Sequence, residues 1–384
     1  MNDDAGGSGN HKGRVNLLRH ILIGTTASLI AMGAAAAAEP LNIVSWGGAY
    51  SMSQRKAYHE PYSEKTGIQI LEEDKSNQAL AGIRSQVEAG NVTWDVVDML
   101  QADAQRACDE GLLEEIDFDQ LAEAPDGTPA SEDFIEGTTG DCFVPQILYA
   151  TAFAYNKDAF PDGGPQTVAD VWDTEKFPGT RAFEKIPQKN LEWALIADGV
   201  DPAEVYDVLA TKEGQDQAFA KLDELKGSII WWDAGAQPPQ MLADGEATIA
   251  TAYNGRIFNA QVNEGQPFEI MWDGQMFEVD GWVVPVDTGQ FDEIMEYLKF
   301  ATDTQRLADQ AKWISYAPAR NSSVELVGNL WKEENGEDVE TDIDMKPHMP
   351  TSPENFQNAI QFDTTFWADY GDALEERFNA WLNS

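Results

Sequence analysis

From residue 41 onward the chain alternates short apolar runs with helix-forming segments, and this alternation restricts the fold more than any other feature. Residues 41–46, 68–72 and 94–100 read as strands. Residues 51–65 have helical character, with a kink predicted at Pro61 and a stop at Gly67. Residues 79–88 form a helix closed by Gly90, and 102–110 one closed by Gly111. A β-α-β-α-β order predicts a mostly parallel sheet with helices on both faces. A second unit follows the turn-rich stretch 157–182. There 180–185, 228–235 and 247–255 read as strands, and 190–199 and 217–227 as helices. The strand-like segments 147–156 and 278–287 lead from one unit to the other and back. Residues 291–313 form a long amphipathic helical stretch, and 352–382 carry Phe, Trp and Leu at helical spacing, which reads as packing.

The 384 residues suffice for two lobes, each with its own core. The first 38 are expected to belong to neither. Lys12, Arg14, Arg19 and His20 make a basic start, 21–33 is apolar, and Ala36-Ala37-Ala38 gives a small-x-small cleavage pattern. This predicts a signal peptide cut before Glu39 and a periplasmic mature protein. Thirteen apolar residues are too few to cross about 30 Å of hydrocarbon. The formal charge of −42 makes nucleic acid and anionic membrane poor partners. The acids are spread along the whole chain, so most of the charge reads as a solubilising surface, and only carboxylates within a site would choose a ligand. Cys108 and Cys142 are the two cysteines. In an exported chain an even count suggests one disulfide, with two free thiols as the alternative.

The mature chain has only His59 and His348, and no H-E-x-x-H, G-x-S-x-G or G-x-x-x-x-G-K-[ST] pattern. A serine or cysteine nucleophile would lack an obvious histidine base. Instead Trp, Tyr and acidic residues gather where strands end. These are Trp46 and Tyr50; Asp98 and Gln101; Glu184; Trp231, Trp232 and Asp233; Tyr253, Asn254 and Arg256; Asp280 and Trp282; and Tyr316. In open α/β sheets ligands bind at the carboxyl ends of strands. Rings that cover methylenes and carry an ammonium on their faces, with an acid to grip it, suit a small aliphatic amine.

The stretches "NIVSWGGAYSMSQRKAYHEPYSEKTGI", "WDVVDMLQADAQRACDEGLLEEID", "YNKDAFPDGGPQTVADVWDTEKFPG", "ADGEATIATAYNGR", "DGWVVPVDT" and "ISYAPARN" carry a family likeness. In that order the chain resembles the extracellular solute-binding proteins of ABC importers, specifically the spermidine/putrescine-binding group. The resemblance implies the two-lobed α/β periplasmic binding protein fold of type II, each lobe a mainly parallel sheet flanked by helices. Lobe 1 is expected to span 39–147 and 282–325, lobe 2 148–281 and 326–384, with hinge strands between them. It implies that Trp46 and Tyr50 sandwich an amine, that Tyr253 and Tyr316 add rings, and that Asp280 grips an amino group. Gln101, Glu184, Trp232, Asp233 and Trp282 complete the expected ligand set. No catalytic residue, metal or cofactor is expected, and the protein is expected to act as a monomer that hands its ligand to a permease in the inner membrane.

Two departures from the polyamine pattern stand out. Lys185, Ile186 and Lys189 occupy the neighbourhood beyond the strand that ends at Glu184, and Arg256 follows Tyr253-Asn254-Gly255 directly. A cation facing a cation costs energy. A diamine such as putrescine, or spermidine, is the first expectation. If Arg256 faces the ligand, a zwitterion such as γ-aminobutyrate, another amino acid or a betaine fits better. A ferric-ion binder would use adjacent tyrosines, which the chain lacks. The reading of another class is an exported enzyme acting on small amines, with an acid–base pair among Asp98, Glu184, Asp233 and Asp280.

Overall fold

The structure, a computed structural model, describes residues 39–384. The expected signal peptide lies outside the described residues. Twelve strands are formed among them. The first half supplies β1 (Leu41–Ser45), β2 (Ile70–Asp74), β3 (Val96–Leu100) and β4 (Val144–Asn156). Next come β5 (Arg181–Glu184), β6 (Ile229–Trp232), β7 (Ile249–Tyr253) and β8 (Phe268–Val283). Short β9 (Ala317–Pro318), the pair β10 (Asn329–Glu334) and β11 (Glu337–Asp344), and β12 (Ile360–Gln361) complete the set.

One sheet runs in the order β2-β1-β3-β8-β4-β7-β5-β6. Its two ends are parallel: β1 pairs β2 and β3, while β5 pairs β6 and β7. The long β4 and β8 join those ends and run antiparallel to each other, with β8 antiparallel to β3 and β4 antiparallel to β7; short β12 pairs β8 in parallel. The architecture is therefore the expected mixed α/β fold. Parallel strands connect through helices, which cover both faces and explain the near-continuous apolar runs.

The apolar residues form two large cores. One gathers Val44, Tyr58, Val97, Trp282 and Leu298; the other gathers Phe153, Phe183, Trp193, Leu222 and Phe378. The C-terminal segment 326–384, expected wholly in lobe 2, divides between them. Val327, Leu330, Met345 and Met349 enter the first core, whereas Ile360, Trp367, Leu374 and Trp381 enter the second. Cys108 and Cys142 are bonded, with Cα atoms 5.8 Å apart.

Three local outcomes differ from the sequence pattern. Residues 48–66 are continuously helical, and Pro61 stands second in the α segment Glu60–Thr66 instead of breaking the run. A π-helical turn, Arg55–His59, precedes it. Proline lacks the N–H that would bond back four residues, and a widened turn absorbs that gap. Residues 291–313 hold two helices, Phe291–Ala301 and Thr304–Gln310, because the Asp303 side chain accepts the Gln305 N–H and starts a new one. The β10–β11 hairpin turns at Asn335-Gly336, both with positive φ (56° and 83°). Those are the angles a two-residue turn needs to match strand twist.

Candidate functional site

The carboxyl end of β1 runs into Trp46 and then a helix, Gly48–Gln54. Gly47 takes φ 80°, and a Cβ there would lie 3.1 Å from the Asp74 carboxylate. A larger residue would be strained on both counts. The tight turn lets the Gly47 N–H donate to Ser51 Oγ at 2.8 Å and projects Trp46 and Tyr50 to one side of the sheet end. Across the gap β7 ends at Tyr253, and the helix Asn254–Asn263 follows with Arg256 in its first turn. Buried Asn254 fixes this corner: Oδ1 accepts the Ala150 N–H of β4 at 3.0 Å, and Nδ2 donates to the Ser315 carbonyl at 2.6 Å. The second bond seats Tyr316, whose ring lies where a Cβ at position 255 would clash at 2.6 Å. Only glycine leaves that space.

The floor comes from β4 and β8. Asp280 pairs with Leu100 on one side and Ile147 on the other, and Tyr149 lies opposite Glu278. Period-two alternation puts Ile147, Tyr149, Glu278 and Asp280 on one face. Together these elements enclose a cavity of about 150 Å³. Trp46, Tyr50, Tyr149, Tyr253 and Tyr316 supply its rings, Asp280 and Arg256 its charges, and Leu100 and Ile147 apolar wall. The rings touch in series: Tyr50–Tyr316 at 6.0 Å, Tyr316–Tyr149 at 6.0 Å and Tyr149–Tyr253 at 5.8 Å between centroids.

The electrostatics are uneven. Asp280 is buried, and its Oδ1 has no hydrogen-bond partner among the described residues. The Trp46 N–H lies close enough to favour the charged form but also meets no partner's bonding geometry. Burial, and then the charge of Asp98, hold the Asp280 carboxyl well above the ordinary range. Asp98, also fully buried, is pushed up by desolvation to about 7. It accepts Gln54 Nε2 at 2.8 Å and lies 3.4 Å from the Tyr50 hydroxyl, which donates to Gln146 Oε1. Burial, opposed by Arg256, brings Tyr316 up to about 12. Two acids this close in a dry setting call for a cation. At the other end Arg256 is exposed and makes no ion pair among the described residues. An ammonium on Asp280, methylenes along the rings and a carboxylate on Arg256 is what these side chains can hold at once.

A second charged group stands behind Tyr149 and Tyr253. The Tyr253 hydroxyl lies 3.4 Å from Glu184 Oε1, and Lys189 Nζ is 2.8 Å from Glu278 Oε2. Burial alone would push the Lys189 ammonium down, but Glu278 and Glu184 outweigh it and hold it raised. Its backbone takes φ 70°, a conformation most side chains avoid.

Of the residues expected to hold ligand, Trp46, Tyr50, Tyr253, Arg256, Asp280 and Tyr316 come together at the cavity. Five do not line it. Trp282 lies two residues past Asp280, where β8 passes under the helical run; it packs 5.3 Å from Tyr58 in the first core. Trp232 is buried behind Tyr253 and donates to Thr251 Oγ1 at 3.2 Å. Asp233 is exposed, its N–H held by the Gln237 side chain at 2.9 Å. Gln101 turns away to donate to the carbonyls of Gly137 and Thr138, and Leu100 faces the cavity in its place. Glu184 supports Tyr253 from outside. Tyr149 was missed because its run, 147–156, reads as uniformly apolar; the signal was its two-residue spacing from Ile147. Among the described residues no group of three or more His, Cys, Asp or Glu is placed to hold a metal, and no helix is long and apolar enough to cross a membrane.

Two α/β ends joined by long crossing strands, with a ring-lined slot at the strand ends, define a ligand-clamping binding protein. The chain belongs to the bacterial extracellular solute-binding protein family, whose model matches residues 57–351, and it is the substrate-binding component of an ABC transporter. It is 37% identical over 351 residues to the gamma-aminobutyric acid-binding protein of Pseudomonas aeruginosa, covering 91% of this chain and 93% of that one. A GABA receptor of known structure is 31% identical, with a TM-score of 0.73 over 89% of this chain and 97% of its own. The PBP MotA from A. tumefaciens, solved with glucopine, is 30% identical, with a TM-score of 0.74 over 89% and 99% of the two chains. Likeness to a spermidine/putrescine-binding periplasmic protein of Haemophilus influenzae is weaker, at 22% identity over 59% of this chain and 61% of that one.

Proposed function

We propose that the protein captures a small ω-amino acid, γ-aminobutyrate or a near relative, in the periplasm and delivers it to its ABC permease. One observation carries this reading: Asp280, an acid that a bound ammonium would hold ionised, and the cation Arg256 line the same ring-walled cavity. The ammonium would lie on Asp280 and answer the two buried acids, while the carboxylate would lie on Arg256. The relatives bound to γ-aminobutyrate by name favour the same ligand. The diamine reading is the weaker one, because the second ammonium would meet Arg256. Closure of the lobes on the ligand, with lobe 1 extended to Met349, would then be driven by contacts made from both sides.

Calorimetry tests this with γ-aminobutyrate, putrescine and spermidine in parallel. Tight binding of γ-aminobutyrate and weak or no binding of the two polyamines is expected. Tight putrescine binding with none of γ-aminobutyrate would reverse the assignment.

A further inference from the structure

We infer that Lys189 is a built-in ammonium that occupies a second cation site beside the cavity and so restricts the protein to ligands with a single ammonium. The inference rests on the reading above for the identity of the ligand, but not for the existence of the second site.

Glu278 lies two residues from Asp280 on the same face of β8, directly opposite the cavity-lining Tyr149. Glu184 ends β5 and touches the hydroxyl of Tyr253, another lining residue. Two carboxylates thus stand behind two rings at one end of the slot. This repeats the pattern at Asp280, where a buried acid stands among Trp46, Tyr50 and Tyr316. The difference is that Glu278 of the far pair is already answered by Lys189 at 2.8 Å, whose charge Glu184 also feels, with the Phe362 ring under the ammonium at 5.3 Å. Lys189 is itself buried, and Glu184 Oε2 remains without a hydrogen-bond partner. Among the described residues Lys189 is the one Lys or Arg in an ion pair with Glu278, and none forms an ion pair with Glu184. An acid pair, a covering ring and a cation form a complete ammonium site, but the cation belongs to the chain.

A ligand with two ammonium groups would set its second charge against Lys189. A ligand with one ammonium and one carboxylate would not. Removing the lysine side chain should therefore open the second site to an external ammonium.

Lys189→Ala supplies the test, with methylammonium and putrescine as probes. Thermal unfolding of Lys189→Ala should shift upward in a saturable way with methylammonium, with no such shift in the wild type or in Lys189→Ala/Glu278→Gln. Putrescine affinity should rise roughly tenfold or more over wild type, the effect of one regained charged pair. A folded Lys189→Ala that responds to neither probe overturns the inference. If Lys189→Ala does not fold alone, refolding in methylammonium is compared with refolding in sodium chloride at equal concentration; recovery in methylammonium only supports the site, and equal or no recovery overturns it. Failure of the wild type to bind γ-aminobutyrate would count against the proposed ligand but leaves the methylammonium readout standing.

Discussion

Asp98 and Asp280 lie diagonally across the antiparallel β3–β8 ladder on the same face, since Asp98 pairs with Trp282 and Asp280 with Leu100. Diagonal neighbours on such a ladder are within reach of one another, and both are buried. Burial holds Asp98 at about 7, above the roughly 4 of an unfolded aspartate. Between those values the native protein binds the extra proton, so its stability falls as pH rises from about 4 to about 7. Asp98→Asn should flatten that slope, as read from melting temperature against pH without ligand. An unchanged slope would place the pH response elsewhere.

Arg256→Ala should weaken γ-aminobutyrate binding by about 2 kcal/mol, roughly thirtyfold, because it removes one charged contact that is open to solvent. Putrescine binding should stay level or improve. Calorimetry with both ligands checks the two directions together.

Trp46→Ala takes away the ring nearest Asp280 on the β1 side. An ammonium loses about 1–2 kcal/mol when a desolvated aromatic face is removed. Affinity should drop about tenfold, while Trp46→Phe should recover part of it. Stability should barely change, since Trp46 is only half-buried.

Asn254→Ala removes the link between β4, β7 and the loop carrying Tyr316. The Ala150 N–H, bonded only through Asn254 Oδ1 among its side-chain contacts, would be left buried and unpaired. That costs about 1–3 kcal/mol. Lower stability in chemical denaturation and weaker ligand binding should appear together, because Tyr253, Arg256 and Tyr316 all hang from this corner.

Reduction of Cys108–Cys142 opens a loop with a sequence separation of 34. On the chain-entropy account the loss is about 3–4 kcal/mol. Unfolding with and without reductant measures it, and ligand affinity should be preserved because neither cysteine lines the cavity.

The parallel ends of the sheet were legible in the sequence because each strand is an apolar run bounded by turn residues, as in 94–100 and 247–255. Trp46, Tyr253, Arg256 and Asp280 were legible because they stand near strand ends beside glycine or asparagine, and Tyr50 and Tyr316 through the family likeness of their stretches. Trp232 and Trp282 were misread for the same reason: a strand end also sits over a core, and the sequence does not say which way an indole turns. The β10–β11 hairpin went unread although Asn335-Gly336 is a strong turn signal; its flanks are dominated by acids, and only Val339, Thr341 and Ile343 mark a half-buried face against Glu340, Asp342 and Asp344. The Lys189–Glu278 pair joins residues far apart in the chain, and only the register of β4 on β8 brings the second beside the rings.

The ladder between β4 and β8 slips at Pro145/Ile147 and again at Thr151/Phe153, on either side of the strip that carries Ile147 and Tyr149. Pleats that break step bend the strand and sharpen its twist. The bends of the spine thus bracket the very patch on which a guest would rest. Pressure from a bound molecule and the tilt of one half against the other would be felt by the same handful of peptide units.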